Sequence, residues 1–181
     1  MKSNSPKRVA LAASLAAAVG LTWADSSPAA SLAIRSASAE AAAPDVHTMS
    51  SRFQRIVVVR MKNQVDMLQG LRDAVAREKI QNAVILSGAG SLVSYHVHVV
   101  SNTTLPATNA FFKGEGPFDL IATTGYIIDG RVHCHVTFSN TEKAMGGHLE
   151  PGTRVFTFAI VTLGVLEEGA SLKRMDDQTW R

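Results

Sequence analysis

The sequence has a single cysteine, Cys134. That excludes an intramolecular disulfide and leaves stability to the apolar core, which a domain of this size can build. No apolar run reaches the ~20 residues that a membrane-spanning helix needs. No lysine follows the glycine segment Ser87–Ser91 in P-loop spacing, and no convincing helix begins there, so a phosphate cradle is a poor fit. Gly-x-Ser-x-Gly does not occur, which leaves no nucleophile elbow. There is no internal repeat. Of the 18 basic and 15 acidic residues, four basic and one acidic precede residue 40, leaving 14 of each sign afterwards. The remainder is neutral and lacks the electrostatic footprint that binding a phosphate backbone demands.

A composition of 46% hydrophobic and 18% charged residues fits one packed domain with tails. The tails are distinct in character. Lys2, Lys7 and Arg8 precede the small-apolar run Val9–Ala24, and small-x-small sites follow at Thr22-Trp23-Ala24 and Ala37-Ser38-Ala39. This is the order of a secretory signal. Residues 1–39 are therefore expected to be an export and processing segment, and 40–51 a flexible linker. The domain is expected over 52–168 and a polar tail over 169–181. The mature protein would then be periplasmic or secreted and without a membrane span; an unprocessed chain would stay cytoplasmic.

Within the domain, Arg52–Arg60 is β-branched and reads as a strand. Val65, Leu68, Leu71 and Val75 recur at helical spacing and predict a helix over Asn63–Ile80. Strands follow at Ala83–Leu86, Tyr95–Val100, Asp119–Ile128, Arg131–Phe138, Ala144–Leu149 and Val155–Leu166. Ser101–Asn109 reads as a loop and Asp129-Gly130 as a hairpin turn. The glycines of Ser87–Ser91 suit a bend or a close contact between strands or subunits. Val155–Leu166 is apolar on both faces, as expected of a central strand or a subunit interface. The fold class is α+β, a single mostly antiparallel sheet with one main helix.

Five of the six histidines fall at 96, 98, 133, 135 and 148. Strand alternation puts Arg131, His133, His135 and Thr137 on one face, and Val132, Cys134, Val136 and Phe138 on the core face. Cys134 is thereby a buried filler. His148 follows Gly146-Gly147, which permit close backbone approach on the next strand. Three imidazoles with an open fourth position make a zinc site; three ordinary hydrogen-bonding histidines fit the same pattern. His96 and His98 form a second His-x-His, either a polar face or a source of outer-sphere or fourth-ligand contacts. Arg131 and Glu150 adjoin the cluster and could orient an anionic substrate or move a proton. His47 reads as solvated.

Four segments, Leu86–Leu92, Gly116–Ile121, Gly130–Val136 and Gly147–Leu149, resemble in order the motifs of the PPC (plants and prokaryotes conserved) family, also called domain of unknown function 296. Leu172–Thr179 is similar to that family's closing segment, and the resemblance spans about Arg52 to Thr179. It implies an α+β sheet domain that assembles as a homotrimer. Plant members sit behind AT-hooks in nuclear DNA-binding proteins, but no Arg-Gly-Arg-Pro hook occurs here. The family fold is also similar to acetolactate decarboxylase, whose zinc is held by three histidines. This implies a metal, zinc first, at His133, His135 and His148, without implying the activity. Three functions remain in view: an exported oligomeric module that binds a metal or small ligand, a zinc-dependent lyase or hydrolase, and a DNA-associated protein.

Overall fold

The computed structural model describes residues 43–180. The expected export segment and the first residues of the linker lie outside the described residues. The described residues form one compact unit. It opens with β1 (Phe53–Lys62), where the β-branched run Ile56–Val59 favours an extended backbone.

Helix α1 (Met67–Arg77) is shorter than its spacing predicts. The Asp66 carboxylate accepts the Gln69 N–H at 3.0 Å and sets the start. Residues 63–65 bond to a later strand instead of joining the helix. Gln64 N–H donates to the Val155 carbonyl at 2.8 Å, and Val155 N–H donates to that of Val65 at 3.0 Å. At the other end Lys79 takes φ 53°, a left-handed conformation that stops the helix. Met67, Leu68, Leu71, Ala74 and Val75 form the buried stripe.

The glycine segment does not end a strand. It lies inside β2 (Ala83–Val100), which runs unbroken where two short strands are expected. At Gly90 a Cβ would stand 2.7 Å from Ala159 Cα, so glycine here serves close contact between strands. After the loop at 101–108, β3 (Asn109–Ile128) runs for 20 residues. Asp129 and Gly130 turn it with φ 49° and 74°, both positive as a two-residue hairpin requires. β4 (Arg131–Ser139), β5 (Ala144–Leu149) and β6 (Arg154–Leu166) complete the sheet.

The strand order is β1-β6-β2-β3-β4-β5, with every pairing antiparallel. β6 sits centrally between β1 and β2. Leu163–Leu166 is buried along its length, while Phe156, Phe158 and Ile160 are exposed in the first half. The sheet also curls: β5 pairs back onto β2 at Val97↔Leu149 and His98↔His148. β2, β3, β4 and β5 thereby close on themselves. The Tyr95, Phe118 and Phe138 rings pack against one another inside, with centroids 4.8–5.5 Å apart. No helix among the described residues is long and apolar enough to cross a membrane.

Candidate metal centre

The curl of the sheet builds the site. Alternation turns Cys134, Val136 and Phe138 of β4 inward, all buried. Burial pushes the Cys134 thiol up to about 12, so it stays protonated and inert. His133 and His135 take the opposite face. On β5, Leu149 is buried and His148 faces outward with them.

Register fixes the neighbours. His148 lies directly opposite His135 on one side and His98 on the other. A row His98–His148–His135 thus crosses three strands, with His133 two residues along β4. Gly147 is required for this approach, because a Cβ there would come within 2.6 Å of the His98 carbonyl oxygen. Gly146 similarly has no room toward the Val136 carbonyl. The two glycines serve the role the sequence assigns them.

His133, His135 and His148 each offer a ring nitrogen, and these atoms lie within 4.8 Å of one another. His133 Nε2 and His135 Nε2 are 3.3 Å apart. The His148 ring stands edge-on to both, with centroids at 4.8 and 5.1 Å. Burial, followed by repulsion from neighbouring imidazoles, lowers the His135 pKa and takes that of His148 from 6.5 to about 4. Glu150 opposes the shift at His148 only weakly. Both rings are therefore neutral at ordinary pH, with a lone pair available. Neutral imidazole is what a borderline-soft divalent cation takes. The donor set fits such an ion, and three protein ligands leave a position open.

His98 and Glu150 belong to the same assembly. His98 Nδ1 is 2.7 Å from Glu150 Oε1, and its ring stacks on His148 at 4.6 Å and 28°. Nothing in the linear sequence announces this pair, since it depends on β5 returning to β2. His96 stands apart, its Nδ1 2.7 Å from the Pro151 carbonyl oxygen. That is the ordinary hydrogen-bonding role. Arg131 is exposed at the start of β4. His47 packs edge-on to Trp180 with centroids 5.1 Å apart.

The sequence profile of the Plants and Prokaryotes Conserved (PCC) domain matches residues 49–167. The chain belongs to this family. A plant- and prokaryote-conserved protein from Pyrococcus horikoshii is 24% identical with a TM-score of 0.60, over 75% of this chain and 94% of its own. A hypothetical protein from Salmonella enterica is 23% identical with a TM-score of 0.57, over 66% and 83%. A metal-containing protein from Archaeoglobus fulgidus is 16% identical with a TM-score of 0.57, over 67% and 86%. These likenesses establish the PCC fold alone. Among curated proteins none matches the sequence.

Proposed function

We propose that this PCC domain is an oligomeric metal-binding module whose His133, His135 and His148 hold one divalent ion, zinc first. The observation that carries this is the convergence of three ring nitrogens within 4.8 Å on two adjacent strands. The metal-containing relative from Archaeoglobus fulgidus supports it. Titrating zinc into the protein by calorimetry tests it. One site per protomer is expected, abolished by His135→Ala; an unchanged isotherm in that variant would overturn the assignment.

The family resemblance supports a homotrimer, and exposed apolar side chains support a subunit interface. Ile56 and Val58 on β1 and Phe156, Phe158 and Ile160 on β6 are all exposed, on two strands that pair with each other, and clustered exposed apolar side chains mark interaction surfaces. Light scattering at micromolar concentration should give a trimer mass; a monomer would contradict it. Export is supported by the basic start and the Val9–Ala24 run. Sequencing the N-terminus of protein from its native host checks it, and an intact Met1 on cytoplasmic protein would refute it.

The His98–Glu150 pair favours a second reading, a zinc-dependent lyase or hydrolase. A bound ion would polarise a substrate oxygen or lower the pKa of water. Glu150, joined to His98, which stacks on His148, would be the group to hold a proton there. An unbiased substrate screen on metal-loaded protein separates this from a purely binding role. DNA association is disfavoured by the balance of 14 basic and 14 acidic residues after residue 39.

A further inference from the structure

The two ends of the described chain meet beside His133. Met49 and Ser51 come from the segment before β1, and Leu172, Met175 and Asp176 from the segment after β6. The short 3₁₀ turn Lys173–Asp176 carries the last of these. Between the ends and the sheet lies a cavity of about 530 Å³. Its floor is Phe53, Val84, Tyr126, Ile128 and Leu166, with His133 at one wall. A smaller cavity of about 370 Å³ shares Val84, Tyr126 and His133 and adds His135 and Thr124. The two cavities thus share lining residues, and the smaller one, of mixed polarity, reaches His133 and His135 of the histidine cluster.

We infer that this cavity is a binding site for a small carboxylate with an apolar body, its carboxylate directed to the His133 side and its body lying among Phe53, Val84, Leu166 and Met175. The inference rests on the metal-binding reading. A divalent ion held by three neutral imidazoles keeps its full charge, and an anionic oxygen ligand complements it. The floor offers little but apolar surface, and the volume falls in the range of small-molecule sites. Ser51 and Asp176 both belong to the chain ends. The polar lining apart from Tyr126 and His133 thus comes from the chain ends, and the ion beside His133 sets the ligand's direction.

Cobalt(II) substituted into the full-length protein reads the metal and the cavity separately, through its d–d absorption. Octanoate and acetate are the probes. Octanoate should perturb the spectrum at concentrations at least about tenfold lower than acetate, since each methylene removed from water is worth roughly fourfold. Met175→Trp fills the cavity from an exposed position, so the fold should survive. It should keep the cobalt spectrum and the acetate response but lose the preference for octanoate. A normal cobalt spectrum with octanoate no better than acetate overturns the cavity's role and leaves the metal centre standing. Octanoate binding undiminished in Met175→Trp does the same. Failure to take up cobalt overturns the metal centre and, with it, the ligand's anchor.

Discussion

His98 and Glu150 are joined across the seam where β5 returns to β2, Nδ1 to Oε1 at 2.7 Å, and the His98 ring lies flat against His148. Neither belongs to the three-nitrogen group. Together they back one face of the His148 ring, as outer-sphere partners would at the proposed metal centre.

His98→Ala should therefore weaken metal affinity by about tenfold to a hundredfold, measured by competition with a chromophoric chelator. His98→Phe keeps the stack and should recover most of the loss. Affinity unchanged in His98→Ala would remove His98 from the site.

The lowered pKa values of His135 and His148 have a definite consequence for the metal-free protein. The unfolded chain takes up protons near pH 6.5, whereas folded His148 resists until about 4. Stability is then full above pH 6.5 and declines as pH falls toward 4. Denaturant melts of chelator-treated protein across that window should show the decline, and His148→Gln should flatten it. A wild-type curve that is flat between pH 6.5 and 4 would contradict the burial argument.

Asp66 does two jobs. One carboxylate oxygen caps α1 at the Gln69 N–H; the other accepts the Gly152 N–H at 2.6 Å, tying the helix to the turn after Glu150. Asp66→Ala should cost roughly 1–2 kcal/mol, read from the denaturation midpoint. Asp66→Asn should cost less, since it can still cap. Equal losses in the two variants would show that capping is not the main contribution.

Strand alternation and helical spacing made most of the fold legible. The Asp129-Gly130 hairpin, the inward Cys134 and the outward His133 and His135 all follow from local periodicity. What periodicity cannot supply is non-local pairing. The long β2 and β3 are hidden because glycine and proline interrupt their pattern, yet pairing with β6 carries β2 through Gly88 and Gly90, and β3 passes Pro117 at an unpaired irregularity between Glu115 and Phe118. α1 was overestimated because Val65 continues its apolar spacing while its backbone serves β6. The cluster of three histidines could be anticipated from two strands and a short turn. The His98–Glu150 contact and the cavity at the chain ends could not, since both require segments far apart in sequence to meet.

Everything proposed for this site depends on a metal held by His133, His135 and His148. Elemental analysis of wild-type protein, purified without chelators or a histidine tag, tests it most directly. One divalent ion per protomer is expected, largely lost in His135→Ala and retained in Cys134→Ala, because the Cys134 side chain faces the core. Wild-type protein that contains no stoichiometric metal and takes up none when offered zinc, iron, nickel or copper would contradict it.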